Sequence, residues 1–95
     1  MKIIDDNRAK NGWITTVIED RWVMAKVYNA PSMFGVNGCR VSKLALSKTD
    51  TRIPRGDFFQ QMDYNYARGL DFHNDTLPAE TLTKILSVLN ALPTT

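Results

Sequence analysis

A chain of 95 residues with 43% hydrophobic side chains is long and apolar enough for one folded domain, and too apolar for a disordered one. Its twelve basic and ten acidic side chains are scattered, with a net charge of only +2, so it lacks the basic stripe of a dedicated nucleic-acid binder. A single cysteine, Cys39, excludes a disulfide scaffold.

Residues 1–11 read as a lead-in, mobile or packed along an edge, with Ile3 and Ile4 as anchors. This polar start lacks the apolar core of a secretory signal. No segment reaches the ~20 apolar residues of a membrane span, so the expected setting is the cytoplasm, with no membrane partner.

The pattern turns strand-like at Gly12. Trp13, Thr15 and Val17 alternate with Ile14, Thr16 and Ile18, so both faces carry β-branched or aromatic groups. Glu19-Asp20-Arg21 is a polar turn. A second strand from Trp22 to Tyr28 places Val23, Ala25 and Val27 on one face and Trp22, Met24, Lys26 and Tyr28 on the other. The short spacing predicts a hairpin, although no Asn-Gly sits at the turn.

Residues 29–38 form a loop punctuated by Pro31, Gly35 and Gly38. A third strand, Cys39 to Ser47, changes phase between Val41 and Leu44. Either it is buried on both faces near its end, or a bulge lies near Ser42-Lys43. After a polar loop, a fourth strand is expected from Phe58 to Arg68, with Phe58, Met62, Tyr64 and Tyr66 packed and Asp63 and Asn65 wet. Residues 69–75 read as a linker.

Helix signals close the chain over residues 77–92. Pro78 stands in the first turn, Glu80 lies near the positive dipole end, and Leu82, Ile85, Leu86, Leu89 and Leu92 form one apolar stripe that needs a sheet to cover. The expected architecture is a single α+β domain: a sheet over residues 12–68, antiparallel with about four strands, and one C-terminal helix packed on one face. A chain this small has little stability margin, and a homodimer is an easy way to add some.

Two strings stand out. Phe34-Gly35-Val36-Asn37-Gly38-Cys39-Arg40-Val41-Ser42-Lys43-Leu44 resembles a Gly-Ile-Asn-Gly-Gly-Arg-Ile-Ser-Lys-Leu string in a family of small phage and prophage proteins. Tyr64-Asn65-Tyr66-Ala67-Arg68-Gly69-Leu70-Asp71 resembles that family's Tyr-Asp-Arg-Gly-Trp-Asp string. The resemblance spans roughly residues 22 to 92. Cys39 stands in place of a glycine and Leu70 in place of a tryptophan. It implies a mobile-element origin in a bacterial host and supplies no activity, so no catalytic residue is carried over.

The chemistry-bearing residues have competing readings. Cys39 with His73 as base is the remote enzyme alternative, set against a small packed thiol. Asp71, His73, Asn74 and Asp75 are either oxygen and nitrogen ligands or a turn ahead of the helix, and the turn is preferred. Asp63, Asp71 and Asp75 as paired acids are discounted. Arg55-Gly56-Asp57 reads as a turn entering a strand, and Arg52 and Arg55 as a solvated loop within reach of an anionic surface. Arg40, Lys43, Tyr64, Tyr66 and Arg68 form an aromatic and basic platform, or else the tyrosines pack under the helix while an arginine ties down a strand end. Met33, Phe34 and Val36 are either a contact loop or a lid on the core.

The leading expectation is therefore a non-enzymatic phage or mobile-element protein that binds and modulates a host protein, without cofactor or metal. An anti-defence inhibitor, such as an anti-CRISPR protein, is one concrete form. The candidate binding residues are Phe34, Asn37, Arg40, Lys43, Arg52, Arg55, Tyr64, Tyr66, Arg68 and Asp71. The alternative is a nucleic-acid or nucleotide-ligand module that uses a basic and aromatic sheet face.

Overall fold

The computed structural model describes residues 1–33, 35–52, 58–67 and 69–95, with their side chains except those of Asn37, Phe58, Phe59 and Asp71. Strands β1 (Lys2–Asn7), β2 (Trp13–Ile18), β3 (Arg21–Val27), β4 (Val41–Ser47), β5 (Met62–Ala67) and β6 (Leu70–His73) build one six-stranded sheet. Spatial order follows chain order, and every neighbouring pair is antiparallel. Two single-turn helices, α1 (Arg8–Asn11) and α2 (Phe58–Gln61), sit between strands, and α3 (Ala79–Asn90) follows the sheet.

The expected α+β class and the C-terminal helix hold; the strand count rises from about four to six. β1 lies in the stretch read as a lead-in. It escapes periodicity because the register shifts between Ile3 and Asp5, which breaks the two-residue repeat. β6 lies in the stretch read as a linker. It is a short edge strand, and such strands carry little apolar signal. The first residues of the expected fourth strand are the helical turn α2, and the strand itself starts at Met62.

Glu19 and Asp20 join β2 to β3 with φ of 53° and 59°. Positive φ at both positions of a two-residue loop is the type I′ geometry that suits the right-handed twist of a hairpin. The phase change in β4 is a bulge. Lys43 pairs with Lys26 and Val41 with Val27, so Ser42 is the extra residue, and both Val41 and Ser42 are buried.

One face of the sheet is the core. Ile14 and Ile18 of β2, Val23, Ala25 and Val27 of β3, Leu44 and Leu46 of β4 and Tyr64 of β5 meet Ile85, Leu86 and Leu89 of α3, joined by Leu77 and Leu92. Each such aliphatic side chain contributes roughly 1.5–3 kcal/mol on burial. Pro78, in extended geometry, starts the helix without a side-chain cap. With α3 on one face, the opposite face keeps half-buried and exposed side chains among the described residues, Trp13, Thr15, Met24, Lys26, Lys43, Asn65 and Phe72 among them.

Candidate functional site

Strand alternation decides what the face away from α3 displays. Positions out of phase with Val23, Ala25 and Val27 line up across the sheet in rows. One row runs Trp13, Lys26, Lys43, Ala67. The next runs Asp5, Thr15, Met24, Ala45, Asn65, Phe72. Val17 and Trp22 pair in the third. Met24 is 36% exposed and Phe72 39% exposed, while Trp13, Val17, Trp22 and Ala45 are half-buried. The only carboxylate in β2 to β5 is Asp63, and it is buried.

At the Trp22 end the face deepens into a cavity of about 210 Å³ lined by Ile4, Asp5, Thr15, Trp22, Met24 and Arg52. Arg52 also borders a second cavity of about 210 Å³, whose other lining residues are Ser47, Thr49, Thr51 and Gln61. The Trp22 indole N–H is buried and has no hydrogen-bond partner among the described residues. The backbone N–H of Trp22 donates to the Thr49 carbonyl at 2.7 Å, which holds the loop after β4 against this end of the sheet.

The residues singled out from the sequence separate into three groups. Lys43 and Arg52 face solvent, Lys43 on the open face and Arg52 at its cavity. Arg40, Tyr64 and Tyr66 serve the fold. Arg40 Nε donates to the Tyr28 carbonyl at 2.8 Å, and its Nη1 donates to the Asn90 and Leu92 carbonyls at 2.8 and 2.6 Å. Those last two are carbonyls at and just past the negative end of α3, where a cation is favoured. Tyr64 is buried in the core, edge-on to His73 at 5.5 Å between ring centroids. Desolvation pushes its phenol above the ordinary tyrosine range, with Tyr66 and Cys39 adding to the shift. The Tyr66 hydroxyl donates to the Gly35 carbonyl at 3.1 Å.

Phe34, Arg55 and Arg68 lie outside the described residues, and so do the side chains of Asn37 and Asp71. The Arg55-Gly56-Asp57 string lies outside them as well. Of the loop read as a contact site or lid, Val36 is buried in the core and Met33 is 85% exposed.

Asp63 is not on a wet face. Arg21 Nη1 donates to its carboxylate and Asn74 Nδ2 donates to it at 3.0 Å. Its place at a bulge between β4 and β5 turns it inward. The stretch after β6 is a turn: Asn74 Oδ1 accepts from the Thr76 N–H at 3.2 Å, and the Asn74 carbonyl from the Leu77 N–H at 3.0 Å. His73 Nε2 lies 3.3 Å from the Leu77 carbonyl. Among the described residues no cluster has a metal-ligand arrangement.

Sequence reasoning missed Trp13, Trp22, Met24, Lys26 and Phe72 as surface candidates. A signal for three of them was present: Trp22, Met24 and Lys26 share one phase of a strand whose other phase is wholly apolar.

With this geometry in view, comparison with known families places the chain. The model of the family described as Domain of unknown function (DUF7678) matches residues 12–90. The chain belongs to this family. The DUF7678 segment runs from the start of β2 to the end of α3, so it contains both the core and most of the open face, while β1 and α1 precede it. No curated protein and no solved structure matches the chain.

The first string shows what a DUF7678 chain does with these residues. A Cβ on Gly35 would lie 2.0 Å from the Cys39 carbonyl oxygen, so only glycine fits there. Gly38 has φ of 72°. Arg40 caps α3, Ser42 is the bulge, Lys43 is on the open face and Leu44 is in the core. Among its described side chains, Arg40 latches the helix, Ser42 makes the bulge, and Lys43 stands on the open face.

Proposed function

We propose that this chain is a non-enzymatic interaction protein that binds a host protein through the open face of its sheet and modulates it. The observation that carries this reading is the apolar group of Val17, Trp22, Met24, Ala45 and Phe72, partly to well exposed in two adjacent rows of the open face on β2, β3, β4 and β6, with polar Asn65 of β5 between Ala45 and Phe72. Exposed apolar patches on small domains mark contact surfaces, and Trp, Met and Phe are enriched at the centres of protein interfaces. The finer form, a phage or mobile-element protein acting as an anti-defence inhibitor in the bacterial cytoplasm, rests on the resemblance of the two strings and on small size.

Affinity capture from bacterial lysate, with and without nuclease, tests the reading when it is run in parallel with Met24→Asp. A host protein retained after nuclease and lost with Met24→Asp supports it. Capture that is unaffected by Met24→Asp moves the contact surface off the sheet and sinks it.

A second reading is favoured by one row. Trp13, Lys26 and Lys43 combine an aromatic ring with two cations, the composition of a single-stranded nucleic-acid platform. It requires that all captured partners vanish on nuclease treatment, and that affinity for an oligonucleotide fall steeply with salt.

A further inference from the structure

Lys26 and Lys43 stand directly opposite each other on adjacent antiparallel strands, both on the open face. Like charges placed this way destabilise a sheet. Neither lysine has an ion pair among the described residues, and the only carboxylate of β2 to β5, Asp63, is engaged by Arg21. The stem of Lys26 is held in place: a Cβ on Gly12 would come within 3.1 Å of its Cγ, and its Nζ lies 5.5 Å from the centre of the Tyr28 ring. A held ammonium group and a second one opposite it, neither in an ion pair among the described residues, form half of a complementary surface beside an apolar strip.

We infer that the open face takes a protein segment that sets a carboxylate against Lys26 and Lys43 and an aliphatic side chain on Met24 and Ala45. This deepens the protein-binding reading above and rests on it. Charge complementarity chooses an acidic occupant. The layout of the face chooses protein over nucleic acid. Among the described residues the strand cations of this face stop at a single row, and the next row is Asp5, Thr15, Met24, Ala45, Asn65 and Phe72. Arg52 lines a cavity with Met24 and Trp22 and shares it with Asp5. A groove that tracks a phosphate backbone needs positive charge along its length. One anion site next to an aliphatic strip instead fits an acidic residue followed by an apolar one.

The test uses the full chain, immobilised, and two probes: a random peptide library and a single-stranded oligothymidylate. Selected peptides are then measured against wild type, the Lys26→Gln/Lys43→Gln double variant and Met24→Asp. Backbone amide shifts of the labelled wild-type chain map where each peptide sits, which needs no variant to fold. The expected result is a set of binders carrying Asp or Glu at a fixed distance from an aliphatic residue. Their amide shifts centre on Lys26, Lys43 and Met24, and their affinity drops about tenfold in the double lysine variant.

Peptides that bind the face and fail with Met24→Asp, but carry no acid or ignore the lysine variant, overturn this inference and leave the protein-binding reading standing. Peptides that map elsewhere, or none selected at all, overturn both. Oligothymidylate binding that the lysine variant abolishes and the peptides fail to match assigns the pair to phosphate and overturns the inference.

Discussion

Arg40 and Asn90 hold the sheet and the helix together through two bonds of opposite kind. The Arg40 backbone N–H donates to the Asn90 side-chain Oδ1 at 3.1 Å, and the Arg40 guanidinium donates to the Asn90 carbonyl at 2.8 Å. Because the same guanidinium also reaches Leu92, one side chain satisfies two carbonyls at the end of α3. Arg40→Ala is expected to cost about 2 kcal/mol, and Arg40→Lys to recover only part of it, since a single ammonium lacks the fork. Urea unfolding followed by circular dichroism checks this, and equal stability of Arg40→Ala and wild type would refute the latch.

Gly35 and Gly38 are not equivalent. At Gly35 an added Cβ would strike the Cys39 carbonyl at 2.0 Å, whereas at Gly38 it meets nothing within 4 Å and only the positive φ opposes it. Gly35→Ala should therefore destabilise by about 3 kcal/mol or more. Gly38→Ala should cost about 1 kcal/mol. Reversal of that order in thermal melts would contradict the geometry.

Asp63 sits at 2% exposure with Arg21 and Asn74 on its carboxylate. Removing it strands a partly buried guanidinium, so Asp63→Ala is expected to lose about 3 kcal/mol. An Arg21→Met/Asp63→Leu pair, which removes both charges at once, should lose much less. Measuring both variants separates a stabilising pair from one that is costly only when broken.

The open-face lysines predict a gain. Lys43→Gln relieves a like-charge pair and should stabilise the isolated protein by about 0.2–0.5 kcal/mol, an effect that shrinks at high salt. A loss of stability at low salt would show that the two ammonium groups are not close.

Tyr64 sets an alkaline limit. Its phenol is held above the ordinary value by desolvation, so the folded chain keeps a proton that the unfolded chain releases. Stability is therefore full below the unfolded tyrosine value near 10 and falls as pH rises through the folded one. Tyr64→Phe removes that ionisation, and its denaturant midpoint should decline less between neutral and strongly alkaline pH. Parallel decline of the two proteins would exclude Tyr64 as the cause.

Much of the layering was legible in the chain. Val23, Ala25 and Val27 alternate with Trp22, Met24 and Lys26, and Ile85, Leu86 and Leu89 recur at helical spacing; Val23, Ala25, Val27, Ile85, Leu86 and Leu89 are all buried, as the pattern requires. Burial leaves a local record because strands and helices bring every second, or every third and fourth, residue to the same face. Edge strands leave a weaker one. β1 has a register shift beside Ile4, and β6 is only four residues long.

What only the tertiary structure decided is which distant groups meet. Arg40 reads in sequence as either a platform cation or a tie at a strand end, and only the fold shows that its guanidinium reaches carbonyls fifty and more residues away. Tyr66 reads as either a platform ring or a ring packed under the helix, and its hydroxyl is tied to Gly35. Lys26 and Lys43 are unremarkable apart, and become a charged pair only because one bulge at Ser42 sets the register of β3 on β4. Periodicity is a property of neighbours along the chain, whereas hydrogen-bond partners and charge pairs are set by register and topology, so the amino-acid sequence determined the layers and the fold determined the surface.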